Sequence, residues 1–161
     1  MTLNRPAAPL ETASKERLRL WLRFLKASRS IENSLRENLK AEFNTTLPRF
    51  DVLAALSRYS DGLKMSQISG VLKVSNGNVT GIVDRLADEG LLVRVPVPGD
   101  RRASLVRLTQ RGQEEFARQA AAHEAWISEM LSGFDAETAR ALADDLQALE
   151  TSLADRGAGD D

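Results

Sequence analysis

Residues Lys64–Gly112 read KMSQISGVLKVSNGNVTGIVDRLADEGLLVRVPVPGDRRASLVRLTQRG. Ile68, Val71 and Leu72 recur at helical spacing, and Ser66 is placed to cap the short helix they imply. Lys73-Val74-Ser75 follows as a tight polar turn. Ser75 then opens a second helix running to Glu89, with Val79, Ile82, Val83 and Leu86 on its apolar side. The opposite side presents Asn76, Gly77, Asn78, Thr80, Gly81, Asp84, Arg85 and Asp88. Gly90 stands just past the helix end, where a left-handed residue is usual. Leu91–Val95 and Ser104–Leu108 alternate as short strands around PVPGDRRA, which predicts a hairpin with a long basic tip.

Working outward, Thr46 caps a helix over Leu47–Arg58, with Pro48 in its first turn, where a missing N–H costs nothing. Its inward positions are Phe50, Leu53, Ala54 and Leu56. Before it, a helix from Ser14 to Glu42 is expected. Leu18, Trp21, Leu22, Leu25, Ser28, Ile31, Leu35 and Leu39 make one apolar stripe along it. A helix of this length exceeds what so small a domain buries by itself, so part of the stripe is expected to meet another chain. After the hairpin, Thr109 caps a helix over Gln110–Leu131 with Phe116, Ala120, His123, Ile127 and Met130 inward. Asp135 caps a last helix to Leu153, with Ala139, Leu142, Leu146, Leu149 and Leu153 in a coiled-coil-like register. The organisation expected is a flexible arm (1–13), an N-terminal dimerisation helix (14–45), a helix-turn-helix with a wing (46–112), C-terminal dimerisation helices (113–155) and a flexible tail (156–161).

The totals exclude several function classes. The 161 residues include no Cys and one His, His123. Disulfides, thiolate metal sites and cysteine redox chemistry are therefore absent, and a multi-histidine metal site cannot form. No phosphate-binding loop, nucleophile elbow or zinc-peptidase motif occurs, so no catalytic residue, cofactor or metal is expected. No stretch has the length and apolarity of a membrane span and the N-terminus lacks a signal-peptide core, which points to a cytoplasmic protein. The net charge is −1, but its distribution is uneven. Residues 1–63 and 64–112 each carry +4, while residues 113–161 carry −9. A basic body of this kind suits a surface presented to phosphate.

The central stretch has the chemistry for reading double-stranded DNA. A helix entering the major groove needs a polar, small first turn, as Asn76, Gly77, Asn78 and Thr80 supply. Asn can pair bidentately with adenine, and Gly77 admits close backbone approach. Ser66 and Ser75 mark helix N-termini able to hold phosphates. Lys73 and Arg85 add backbone contacts that position without reading sequence. At the wing tip, Arg101 and Arg102 suit the negative minor groove. Asp100 is expected to pair with a neighbouring arginine and fix the shape of the tip.

On these residues the chain resembles the MarR family of winged helix-turn-helix regulators. The likeness rests on LPRFDVLAAL, on SQISGVLKVSNGNVTGIVDRLADEGLLVR and on the wing GDRRASLVRLTQRG, and it extends over about residues 14–153. The implied fold is mainly α with a small β-hairpin wing, dimerising through long N- and C-terminal helices. By the same resemblance Asn76, Asn78 and Thr80 match recognition positions, Arg101 or Arg102 matches the wing arginine, and Asp100 its acidic brace. The first turn N-G-N departs from relatives that carry Arg or Lys there, which leaves the base preference open.

The resemblance also implies a small-molecule effector, often an aromatic acid. The residues offered for such a site are Trp21, Phe24, Arg29, Arg49, Phe50 and His123. An aromatic acid or its coenzyme A thioester is the expected ligand class. The function expected is a sequence-specific regulator, a ligand-released repressor that binds a pseudo-palindromic operator as a homodimer. The alternative is a winged-helix interaction module or anti-activator that does not itself bind DNA.

Overall fold

A computed structural model describes residues 9–72 and 76–158, with side chains over 12–72 and 78–158. Lys73 and Ser75, both expected at the nucleic-acid interface, lie outside the described residues. Among the described residues, six helices and a three-stranded antiparallel sheet follow in the order α1 (Pro9–Phe43), α2 (Leu47–Ser57), β1 (Leu63–Lys64), α3 (Met65–Leu72), α4 (Asn76–Asp88), β2 (Leu92–Val97), β3 (Asp100–Leu108), α5 (Gln110–Met130) and α6 (Ala136–Ala158). None of the described helices is long and apolar enough to cross a membrane. The chain divides into two compact units, residues 1–124 and 125–161.

The core of the first unit is built where helix and strand periodicities converge. α2 contributes Val52, Leu53 and Leu56, α3 Ile68, and α4 Val79, Val83 and Leu86. Leu63, Leu91, Leu92, Val106 and Leu108 close the core from the sheet side. Phe50, Val52, Leu53, Ala55 and Leu56 are all buried, so α2 is covered over most of its circumference rather than along one stripe. Val71, expected inward, is 46% exposed. The eight residues of α3 make little more than two turns, and Ile68 is the residue they bury.

The ends of these elements follow local chemistry. Thr46 Oγ1 accepts from the Arg49 N–H, which confirms the cap of α2. Thr109 Oγ1 accepts from the Gly112 N–H at 3.0 Å, and its hydroxyl donates to the Gly90 carbonyl at 2.7 Å. One side chain thereby ties the start of α5 to the end of α4. Gly112 is required by contact: a Cβ there would stand 2.0 Å from the Leu91 carbonyl oxygen. Gly90 has φ +78°, the left-handed stop expected after α4.

Several expected boundaries move. α1 begins at Pro9, so residues 9–13 belong to the helix and Ser14 is not its cap. Ser66 lies inside α3 instead of capping it, and the Lys64 N–H is instead satisfied by Gln67 Oε1 at 2.9 Å. α6 runs through Ala158, beyond the expected end at Leu153. β1 went unpredicted. Two residues carry no period, and Leu63 and Lys64 are strand only because Val106 and Leu105 of β3 pair with them.

In the second unit, α6 buries none of its residues. Leu142, Leu146, Leu149 and Leu153 are between 36% and 56% exposed. Asp135 caps this helix as expected, its carboxylate accepting from the Thr138 N–H at 2.8 Å. That hydrogen bond holds the Asp135 carboxyl below its ordinary range.

Candidate nucleic-acid interface

α4 is fixed by its buried side and leaves the rest of its circumference for contact. Val79, Val83 and Leu86 are fully buried, while Asn78, Thr80, Gly81, Asp84, Arg85 and Asp88 are exposed. At 3.6 residues per turn, Thr80 and Asp84 flank one edge of that free surface and Asn78 and Arg85 flank the other. Gly81 lies between the edges with open space around it, as nothing stands within 4 Å of the position a Cβ would take. Asn76 and Gly77 form the first turn of the helix. The surface is small-featured, as groove entry requires.

The edge bearing Asp84 is tied to the wing. Arg94 on β2 donates from Nη2 to Asp84 Oδ1 at 2.5 Å. The two side chains are 38% and 56% exposed, so the pair adds little to stability. Its larger consequence is electrostatic: a carboxylate on the exposed side of α4 is neutralised, and the orientation of the wing relative to α4 gains a fixed point. An ion pair ten residues apart was not foreseen from the sequence.

The wing differs from the long open tip expected. β2 continues to Val97 and β3 begins at Asp100, so Pro98-Gly99 alone make the turn, with Gly99 at φ +81°. The register shifts between Pro96 and Val97, where proline cannot donate to the ladder. Arg101 and Arg102 therefore stand on β3, where successive side chains project to opposite faces. Both are exposed and neither forms an ion pair among the described residues. Asp100 does brace the tip, but not by pairing with an arginine side chain as expected. Its Oδ1 accepts from the Arg102 backbone N–H at 3.0 Å. An aspartate side chain reaches the N–H two residues on by itself, and this local bond does not engage either guanidinium.

On the Asn78 and Arg85 edge, α4 faces a cleft of about 760 Å³ shared with α1 and the start of α2. Its lining includes Arg36, Lys40, Thr46, Asn78, Gly81 and Arg85. Arg36 and Lys40 are one helical turn apart on α1, a spacing legible in the sequence, but nothing in it placed them beside α4.

The effector candidates are only partly brought together. His123 stacks on Phe50 with centroids 4.7 Å apart, and Phe116 meets the same ring at 5.7 Å. Asp51 lies next to this stack. Burial pushes its carboxyl up, His123 and Arg36 oppose the shift, and Glu32 reinforces it. Arg49 is engaged elsewhere: it pairs with Glu89 at the end of α4 and donates from Nε to Thr45 Oγ1 at 3.1 Å. Trp21 and Arg29 are exposed on α1, and Phe24 is half-buried there. None of these three makes a described hydrogen bond, ion pair or ring contact with Phe50 or His123.

A helix presented for groove entry with a basic hairpin beside it defines a winged helix-turn-helix DNA-binding protein. The model of the MarR family matches residues 43–103. The HTH-type transcriptional regulator YkoM of Bacillus subtilis is 35% identical over 118 residues, which is 72% of this chain and 74% of that protein. A MarR family transcriptional regulator from Silicibacter pomeroyi superposes with a TM-score of 0.72 at 30% identity, covering 88% of this chain and 97% of that one. CouR from Rhodococcus jostii RHA1 shares the fold at 19% identity, with a TM-score of 0.70 over 81% of this chain and 90% of its own. The chain belongs to the MarR family: it is a DNA-binding transcriptional regulator and not an enzyme.

Proposed function

We propose that two copies of the chain, acting in the cytoplasm, pair through their long helices and bind a near-palindromic operator as a repressor. A small effector releases them. The carrying observation is the juxtaposition of an open, small-featured α4 surface with unpaired Arg101 and Arg102 on a braced two-residue turn. Each copy places α4 in a major groove, and the two half-sites lie about one helical turn, roughly 34–36 Å, apart. Asn76, Asn78 and Thr80 read base edges, Arg85 holds a phosphate, and the wing arginines enter the adjacent minor groove.

The exposed leucines of α6 and the apolar residues at the start of α1 support pairing, because a solitary chain leaves them in water. For the effector we retain an aromatic acid or its coenzyme A thioester. CouR is bound to p-coumaroyl-CoA in its crystal. In this chain the aromatic faces of Phe50, Phe116 and His123 join α2 to α5 beside Asp51. A ligand seated there releases DNA only by preferring one arrangement of the dimer over another.

Binding of labelled duplexes over a series of salt concentrations tests the DNA function. The duplexes are selected from a random pool by the unaltered protein. Combined Arg101→Ala and Arg102→Ala should weaken binding at least tenfold and flatten the salt dependence. Unchanged affinity and slope would remove the DNA reading and leave a protein-interaction module.

A further inference from the structure

The second backbone beside the recognition helix also has a seat. A helix lying in a major groove is flanked on both sides by phosphate strands. The wing lies at one flank, joined to α4 through Arg94 and Asp84. The other flank carries Asn78 and Arg85 and opens into the cleft with Arg36 and Lys40. Resting on the proposed DNA-binding function, we propose that this cleft holds the phosphate backbone opposite the wing, with Arg36 and Lys40 of α1 as DNA contacts.

Three observations support that occupant. The cleft is continuous with the helix surface that meets DNA, since Asn78 and Gly81 line both. Its charged side chains, Arg36, Lys40 and Arg85, are all cations. They also head a longer basic ridge: Lys26, Arg29, Arg36 and Lys40, with Asn33, recur at three- and four-residue steps along α1 and are exposed. A ridge running on beyond the cleft fits an extended polyanion better than a compact acid.

The cations are also available. Arg36 meets Glu32 at 3.4 Å, with both side chains more than half exposed, so the pair is loose and exchanges for phosphate at little cost. Lys40 donates to the neutral Asn44 side chain at 2.7 Å. Arg85 forms no ion pair among the described residues. The start of α2, capped by Thr46, completes the wall with the positive end of a helix dipole.

Arg36→Gln combined with Lys40→Gln tests this on the full-length protein. Affinity for the selected duplex and for a random-sequence duplex is measured from low to moderate salt. Both affinities should fall together, roughly tenfold or more. The slope of log affinity against log salt should lose about one unit for each phosphate contact removed in each copy. The charge-retaining pair Arg36→Lys and Lys40→Arg should restore the slope. Melting curves should match the unaltered protein, because both side chains are exposed.

An unchanged slope in the Gln variant, while Arg101→Ala with Arg102→Ala still flattens it, overturns the inference and leaves DNA binding intact. If neither variant changes the slope, the DNA function fails and the inference with it. If the Gln variant binds DNA normally but loses binding of benzoate, the cleft is a small-acid site, which also overturns the inference.

Discussion

The apolar stripes of α4 and α6 have the same helical spacing and opposite surroundings. Val79, Val83 and Leu86 of α4 are 0% exposed. Leu142, Leu146, Leu149 and Leu153 of α6 are 36–56% exposed. The first stripe closes on α2, α3 and the sheet of its own chain. The second has no described residue that buries it. Fully burying a leucine is worth about 1.5–3 kcal/mol, so covering the roughly half of each that remains exposed represents an incentive to associate of a few kcal/mol per copy. Amphipathic spacing therefore specifies a face to be covered, while the covering partner depends on what else the chain supplies.

Truncation should separate the two stripes most clearly. Leu53→Ala, beneath α4 in the core, should cost about 2–5 kcal/mol, lowering the melting temperature by the same amount at every protein concentration. Leu146→Ala should instead lower the melting temperature by an amount that grows as the protein is diluted and shift sedimentation toward a single chain, with DNA affinity falling in step. If Leu146→Ala leaves both the mass and DNA affinity of the assembled protein unchanged, the α6 stripe is not the pairing surface.

A smaller loss is expected where the winged lobe joins α5. Gly112→Ala drives a methyl against the Leu91 carbonyl, 2.0 Å away, beside the Thr109 bond that ties α5 to Gly90. We expect about 1–3 kcal/mol of destabilisation by chemical denaturation, together with weaker DNA binding as the wing root shifts. Gly133→Ala, with nothing within 4 Å of its Cβ position, serves as the control and should change little.

The smallest effect concerns Asp51. Its carboxyl is raised by burial, so the folded chain holds that proton more tightly than the unfolded chain does. Its contribution is therefore most favourable below the unfolded value and is lost as pH rises through the raised folded value. Asp51→Asn should remove this component. The variant should gain melting temperature relative to the unaltered protein near neutral pH and converge with it in acid. A constant offset at all pH values would assign the change to packing.

Much of the interface lobe was legible because its signals are local. Thr46, Thr109 and Asp135 cap the helices they were expected to cap, since a side-chain oxygen three residues before an N–H needs no tertiary partner. Gly90 stops α4 for the same reason. Less legible were features made by distant partners. The Arg94–Asp84 pair joins strand to helix, and the Arg49–Glu89 pair spans forty residues. β1 exists through its pairing with β3. The tip arginines were anticipated, but their placement on β3 depends on how far strand pairing extends before Pro98-Gly99 turns the chain.

For Lys64–Gly112, sequence alone was enough to specify two helices and a hairpin carrying two arginines, because periodicity and turn chemistry act within a few residues. It also marked the leucines of α6 as a face requiring cover. Tertiary structure decided that Asp84 faces Arg94, that Asp100 holds a backbone N–H, and that α1 brings Arg36 and Lys40 to the flank of α4 opposite the wing. Those outcomes depend on the distances between elements, and such distances are set only when the cores of α2, α3, α4 and the sheet pack together.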